Sequence, residues 1–168
     1  YILEAARQLN ELGLKDKYII DFYGAVAPAY EAVFKKKITL FQNISYKGFL
    51  NLREEAGYDT LATYDVMLFP TYWKGEGFAG VFIDTFISGV PMIASDWAHN
   101  RQFMEEGKTA LFIPVHDIPA LRDKMKNCIE GRYDLKAMSL CCQNEAEKYN
   151  VDKVVTKDLL VKIGILKG

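Results

Sequence analysis

The sequence predicts an α/β fold: a parallel sheet, doubly wound in the manner of a Rossmann fold and flanked by helices. Short runs rich in β-branched and aromatic residues alternate along the chain with segments whose apolar residues recur at helical spacing. The run at 66–69 is apolar almost throughout, which is typical of a strand buried on both faces of a parallel sheet. Strands and helices in regular alternation favour this architecture.

Glycines and a proline mark the element ends in the first half of the chain. Gly13 is a natural stop for the first helix, Gly24 closes the first strand, and Pro28 suits the first turn of the second helix. The predicted order is a helix ending at Gly13, strand 18–23, helix 28–37, strand region 39–46, a short helix around Leu61 and strand 66–69.

The second half continues the alternation and then becomes helical. Its predicted elements are a helix opened by residues 76–78, strand 92–95, a short helix near Phe103, strand 111–113 and helices 118–130, 135–149 and 151–161. In the first of these helices an apolar stripe is expected to pack on the sheet, formed by Ala79, Phe82, Ile83, Phe86 and Ile87. With no internal repeat or linker in the sequence, residues 1–168 are predicted to form one domain.

Composition excludes several classes of protein. A net charge of −1 argues against a nucleic-acid-binding domain, which usually carries a basic excess. There is no run of about 18 apolar residues to suggest a membrane span. The three cysteines (Cys128, Cys141 and Cys142) have no metal-binding spacing and suggest a reducing compartment.

The most informative segment, residues 70–95, reads PTYWKGEGFAGVFIDTFISGVPMIAS. A strand ends at Pro70, a loop carries Glu76, and a helix is predicted to follow. Backbone amides at a helix N-terminus make an anion site, most often for phosphate. Asp84 follows eight residues after Glu76, on a helix face away from the apolar stripe. An anion site between two acids suits a sugar nucleotide, because amides can bind its diphosphate and carboxylates can bind its hydroxyls.

This segment resembles the donor-binding segment of retaining glycosyltransferases with the GT-B fold, the glycosyl transferases group 1. Their pattern holds two acidic residues separated by seven others. The matching positions are Pro70, Thr71, Glu76, Gly77, Phe78, Asp84, Gly89, Pro91, Ile93 and Ala94. A weaker likeness extends from about Ile19 to about Leu121.

The resemblance implies roles for particular residues. Glu76 would contact the hydroxyls of the donor sugar and is the candidate catalytic residue. Backbone amides near Gly77, Phe78 and Ala79 would contact the sugar and the diphosphate, and Asp84 would accept hydrogen bonds from the ribose. Two plainer interpretations remain open, in which Glu76 is a surface acid capping a helix and Asp84 a solvated helix residue.

The resemblance also places the nucleotide base near Gly48, Phe49 and Leu50. Gly48 would allow close backbone approach, and either apolar side chain could cover a ring. A turn glycine beside core hydrophobic residues is the alternative. Gly24 is expected to face the same cleft.

Some positions depart from the family pattern. Asp84 stands where the family usually has glutamate, and Gln102 aligns with another common glutamate. Family domains usually open with a strand and a basic loop that neutralises the diphosphate, whereas this sequence begins in the helix that should follow. The chain is therefore expected to be most of a donor-binding domain, without its first strand and without the N-terminal acceptor domain, and inactive in transfer by itself.

The expected substrate is a UDP- or GDP-linked sugar, with no metal and no cofactor. The expected partner is a glycan or glycolipid acceptor in polysaccharide or glycoconjugate synthesis, with no nucleic acid. The resemblance implies a cytoplasmic protein, either free or peripheral to the inner membrane face. Two alternatives stay open: a sugar-nucleotide epimerase of the same fold, and a non-catalytic nucleotide-binding or scaffold domain.

Overall fold

A computed structural model of the chain describes residues 1–75 and 77–165. Its strands are β1 (Ile20–Tyr23), β2 (Ile44–Gly48), β3 (Met67–Phe69), β4 (Met92–Ser95) and β5 (Ala110–Ile113). Its α-helices are α1 (Ile2–Glu11), α2 (Pro28–Ile38), α3 (Glu55–Leu61), α4 (Val81–Ile87), α5 (Asn100–Phe103), α6 (Ile118–Ile129), α7 (Leu135–Ala146), α8 (Val151–Val154) and α9 (Lys157–Lys162).

The strands pair in parallel, in two sheets. β1 pairs with β2, and the other sheet has the order β3-β4-β5. Alternate residues of β4 and β5 enter two different hydrophobic clusters: Ile93 and Leu111 pack with α1 and α6, while Met92 and Phe112 pack with α4 and α7. Because alternate side chains of a strand point to opposite faces, helices cover both faces of this sheet. The predicted doubly wound α/β fold is confirmed.

Both sheets have their carboxyl ends at one edge of the molecule. The Tyr1 ring, just before α1, contacts Tyr72, which follows β3, with centroids 5.6 Å apart, and also contacts His116, which follows β5. The other end of α1 lies near the start of β1, since the Tyr18 hydroxyl donates to the Ala6 carbonyl and Asn10 Oδ1. Strand β1 therefore runs in the same direction as β3–β5.

Several predicted boundaries differ from the structure. The second strand lies at Ile44–Gly48 rather than 39–46, because α2 extends to Ile38 and a hydrogen-bonded turn follows it, with Thr39 Oγ1 donating to the Lys36 carbonyl at 2.8 Å. The predicted helix 151–161 is two short helices, broken where Val155 leaves helical geometry (ψ 73°). Among the residues that the structure describes, two sheets replace the single expected one.

In the same part of the chain, no helix is both long and apolar enough to cross a membrane.

Candidate functional site

The loop between β3 and α4 carries the predicted anion site. Helix α4 begins at Val81, later than the predicted opening at residues 76–78. Gly75, Gly77 and Gly80 disfavour helix here, and the Phe78 ring packs against Phe103 with centroids 4.7 Å apart. Residues 77–80 therefore form a loop that leads into the helix.

The predicted amide donor Gly77, and Gly80 in the same loop, both have open space where a side chain would lie. A Cβ atom added at Gly77 or Gly80 would meet no atom within 4 Å. From Phe82 onward the amides are used inside the structure, beginning with Phe82 N donating to the Ala79 carbonyl at 3.0 Å. The backbone amides of residues 77–81 donate no hydrogen bond to a backbone carbonyl in the described part of the chain. The Phe78 ring also packs against Phe82, so the ligand contact expected of Phe78 is one through its backbone amide.

Asp84 lies in the first turn of α4 and is held by a neighbouring helix. The Tyr58 hydroxyl, on α3, donates to Asp84 Oδ1 at 2.9 Å. This hydrogen bond, together with partial burial, raises the pKa of Tyr58 above its ordinary value of 10.0. One carboxylate oxygen of Asp84 thus has a partner and the other keeps acceptor capacity. Asp84 is a half-buried, oriented acid rather than a freely solvated one.

Gly57 fixes how closely α3 approaches the preceding loop. A Cβ atom there would lie 2.0 Å from the Asn51 carbonyl oxygen. Only glycine lets the helix and the loop backbone pack at this distance. Gly57 therefore sets the position of its neighbour Tyr58, and through it the orientation of Asp84.

Gly48 is the last residue of β2, and Phe49 and Leu50 follow it. They lie at a groove of about 330 Å³ between the two sheets, which Phe49, Leu50 and Gly24 help to line. Gly48 has a φ of +77°, which favours glycine, and its carbonyl accepts from Gly24 N at 2.7 Å. The Phe49 side chain is 81% exposed. Both interpretations of Gly48 therefore have support: the backbone requires a glycine, and the residues after it are accessible.

Sequence reasoning missed a polar cluster in the same groove. The Tyr64 hydroxyl donates to Asp21 Oδ2 at 2.7 Å and lies 2.9 Å from the Tyr23 hydroxyl. Burial, reinforced by these two hydrogen bonds, raises the pKa of Tyr64 strongly. Lys47 forms a longer ion pair with Asp21, at 3.7 Å. No periodic signal marks such a cluster, because its members come from different strands and a loop.

Other candidate residues lie elsewhere. Glu76, the predicted catalytic residue, is outside the described residues, so its spatial relation to Asp84 stays a prediction. His99 and Gln102 are both exposed, close to the end of β4. Within residues 1–75 and 77–165, no group of three or more potential metal ligands comes together.

This arrangement has the chemistry of a binding site for a polyhydroxylated anion. Loop amides and an oriented carboxylate both lie after the carboxyl end of β3, at the edge where ligands bind in open α/β sheets. Fold and site together define an α/β domain with a candidate ligand site at the carboxyl edge of its sheet.

The family follows from the sequence match. The family model of the glycosyl transferases group 1 matches residues 1–131, and the chain belongs to this family. A search among curated proteins finds no significant match.

Solved glycosyltransferase structures share the fold. The chain is similar to HepE of Anabaena in complex with UDP (13% identity, TM-score 0.71), with 96% of this chain and 52% of that chain covered. It is also similar to the pneumococcal O-GlcNAc transferase GtfA in complex with UDP and GlcNAc (23%, 0.70; 99% and 32% covered). A third similar structure is a glycosyltransferase from Rickettsia africae (16%, 0.75; 98% and 44% covered). The chain thus spans about a third to a half of the length of these proteins.

Proposed function

We propose that this chain is the donor-binding domain of a retaining glycosyltransferase that uses a nucleoside-diphosphate sugar. In this proposal the amides of Gly77, Phe78 and Ala79 contact the sugar and diphosphate, and Asp84 accepts hydrogen bonds from the ribose. Glu76 contacts the hydroxyls of the donor sugar, and Gly48, Phe49 and Leu50 lie beside the base. UDP is favoured as the nucleotide because two of the similar solved structures are named as UDP complexes.

The observation that carries the proposal is the orientation of Asp84 by Tyr58. An acid that only solubilised a helix would not need a half-buried neighbour that donates a hydrogen bond to one of its oxygens at 2.9 Å. The oriented carboxylate lies in the first turn of α4, next to the glycine-rich loop. Amides that donate hydrogen bonds to a leaving diphosphate stabilise its growing negative charge and lower the barrier to its departure.

We propose that the acceptor binds to another part of the protein, outside this domain. The similar structures are about twice to three times as long as the part that the chain covers. A second half would close the cleft at the carboxyl edge and bring a glycan or glycolipid to the donor. Residues 1–168 alone then bind the donor weakly.

Calorimetric titration with UDP-glucose and GDP-mannose tests the donor site. We expect binding of one of them, and a loss of about tenfold or more in affinity for Asp84→Ala, because a hydrogen bond to a charged group contributes about 1.5–3 kcal/mol. Asp16→Asn is the matched control, since Asp16 is exposed in the turn between α1 and β1.

Tyr58→Phe tests the effect of the orientation of the Asp84 carboxylate separately from the effect of its charge. It removes the hydroxyl and keeps the ring, so the affinity should fall less than in Asp84→Ala. Equal affinities of the wild-type chain and Asp84→Ala would contradict the assignment. If neither sugar nucleotide bound at a concentration of about 10 mM, the dissociation constant would be too high for a donor site. That result would contradict the proposal of a donor site itself.

A further inference from the structure

Trp73 is a large aromatic side chain that the fold leaves open to solvent. It lies in the loop after β3, three residues before Glu76 in the sequence, and is 70% exposed. Exposure of a single apolar residue is common and needs no explanation by itself. The feature that distinguishes Trp73 is that contacts within the protein fix its position, which an exposed side chain without a ligand does not require.

Contacts to both the backbone and the ring hold Trp73 in place. Trp97, in the loop after β4, donates its indole N–H to the Trp73 carbonyl at 2.9 Å. The Trp73 backbone N–H donates to Thr71 Oγ1 at 3.3 Å. The indole lies against Gly75, where an added Cβ atom would be 2.7 Å from Nε1 and 3.4 Å from Cε2. The loop therefore covers the pyrrole edge of the ring, and the rest of the indole stays accessible.

Trp73 lies at the end of the candidate site that is farthest from the proposed base position. Asp84 contacts α3, the helix between β2 and β3, whereas Trp73 contacts the loop after β4. Strand β4 lies on one side of β3, and the groove that Phe49 helps to line lies on the other. A nucleoside-diphosphate sugar with its base at Phe49 and its ribose at Asp84 would therefore bring its sugar towards Trp73.

A hexose ring has surfaces that suit this position. Its hydroxyl groups form hydrogen bonds around the rim, and the C–H groups on one face form an apolar surface. Packing that face on an indole removes apolar area of both partners from water. Because the protein already holds the indole in one position, little conformational freedom is lost when the sugar binds.

We propose that Trp73 is a sugar-stacking residue, whose indole packs on the C–H face of the hexose in the nucleoside-diphosphate sugar. The contact stabilises the bound sugar nucleotide but not the bound free nucleotide, so the domain binds the sugar nucleotide more tightly. Trp97 is a positioning residue that acts through its hydrogen bond to the Trp73 carbonyl. This inference rests on the proposed donor site and adds to it one contact, made with the sugar only.

Calorimetric titrations of the 168-residue chain compare UDP with UDP-glucose and GDP with GDP-mannose. In the wild type, one of the two sugar nucleotides should bind more tightly than its own free nucleotide by about fivefold or more. Trp73→Ala should bring the ratio of the two affinities close to one. Trp73→Tyr, which keeps an aromatic face, and Trp97→Phe, which removes only the supporting N–H donor and part of the ring, should give intermediate ratios.

Tyr30→Ala is the matched control, because Tyr30 is an aromatic residue on α2 that is 45% exposed and lies away from the candidate site. Its affinities and their ratio should equal those of the wild type. NMR gives a second readout: the protons on one face of the bound hexose should show upfield ring-current shifts, which Trp73→Ala abolishes. Urea midpoints of all variants show whether each one is folded.

The outcomes separate this inference from the donor site on which it rests. If a nucleotide binds but its sugar nucleotide binds no more tightly, the stacking role is wrong and the donor site stands. An unchanged ratio in Trp73→Ala, or an equal loss of affinity for both ligands, would also overturn the stacking role. If neither the nucleotides nor the sugar nucleotides bind, the donor site itself is wrong, and the stacking role with it.

Discussion

Asp84 and Tyr58 form a contact between two helices that are far apart in sequence. The hydroxyl-to-carboxylate bond joins α3 to α4 across 26 residues. Helix α4 alone would leave the carboxylate free to rotate; the bond selects one rotamer. The Gly57 contact with the Asn51 carbonyl places the tyrosine, so three residues without a shared motif determine the geometry of one acid.

Gly57→Ala should destabilise the fold, although replacing glycine by alanine within a helix usually increases stability. Its Cβ would lie 2.0 Å from the Asn51 oxygen, so α3 or the loop must shift. We expect a loss of roughly 1–3 kcal/mol in the free energy of unfolding, as in overpacked sites. Urea denaturation measures it.

Gly80→Ala is the matched control, because its added Cβ would meet no atom within 4 Å. Its free energy of unfolding should stay within about 0.5 kcal/mol of the wild type. Equal effects of the two substitutions would contradict the packing role of Gly57.

The sequence identified Asp84 as an acid facing away from the core, but not its partner. Helical periodicity shows which face of α4 the acid occupies. It gives no information about which side chain of α3 lies opposite, because that depends on the packing of two helices. The cluster of Asp21, Tyr23 and Tyr64 was missed for the same reason, since it also depends on tertiary contacts.

Helix α4 connects the candidate site to the sheet. Phe82 and Phe86 are fully buried and pack on the face formed by Met92 and Phe112. Thr85 is also buried and bonds back to the Val81 and Phe82 carbonyls. These buried contacts hold α4 against the sheet. Asp84, on another face of the same short helix, therefore has a fixed position relative to the sheet edge.

Part of the predicted apolar stripe of α4 is wrong. Phe82 and Phe86 are buried as expected, but Ile87 is 48% exposed and buried Thr85 occupies part of the packed face. Ile87 is the last residue of α4, before the turn at Gly89. A periodic pattern does not show where the sheet beneath a helix ends.

Phe82→Ala and Ile87→Ala should therefore differ greatly. Truncation of the buried ring leaves a cavity and should cost about 3–5 kcal/mol in the free energy of unfolding. Truncation of the exposed isoleucine should cost less than about 1 kcal/mol. Urea midpoints compare the two, and similar losses would show that Ile87 belongs to the core.

The ion pairs of α1 make a small, pH-dependent contribution to stability. Hydrogen bonds from Arg7 and then Gln8 lower the pKa of Glu4 from 4.5 to about 2. A lowered pKa in the folded state stabilises the fold above the unfolded value, and the stabilisation is lost as the pH falls towards 2.

Glu4→Gln should consequently reduce stability slightly at pH 7, by at most about 0.5 kcal/mol because the pair is solvent-screened. The difference from the wild type should shrink between about pH 4.5 and pH 2 in urea titrations. Glu55→Gln, which alters an exposed acid in the first turn of α3, is the control. A difference that stays constant over this pH range would contradict the assignment.

At the scale of the whole molecule, the candidate site segments lie at one edge. The loops after β2 and β3 and the N-terminal end of α1 all lie there, because the parallel strands run in one direction. The doubly wound fold was predictable because alternating periodicity is a local signal. Periodicity alone does not predict the gap between β1 and β3, since sheet continuity depends on which strands lie side by side.

The 168-residue chain should bind a sugar nucleotide without transferring the sugar. Transfer requires a positioned acceptor, and the chain spans only 52% and 32% of two similar solved structures. Release of UDP or GDP, measured by a coupled assay with glycan or lipid acceptors, should not exceed the rate without protein. Transfer by the chain alone would contradict the proposal that the acceptor site lies in further chain.

The two tryptophans of the chain sit together in loops of that same edge. Trp73 follows β3 and is 70% exposed, and Trp97, which follows β4, donates its indole N–H to the Trp73 carbonyl at 2.9 Å. The tryptophan emission of this chain therefore comes from one indole in the loop that carries Glu76 and one in the neighbouring loop. Emission spectra can thus follow events at this edge optically, without an introduced dye.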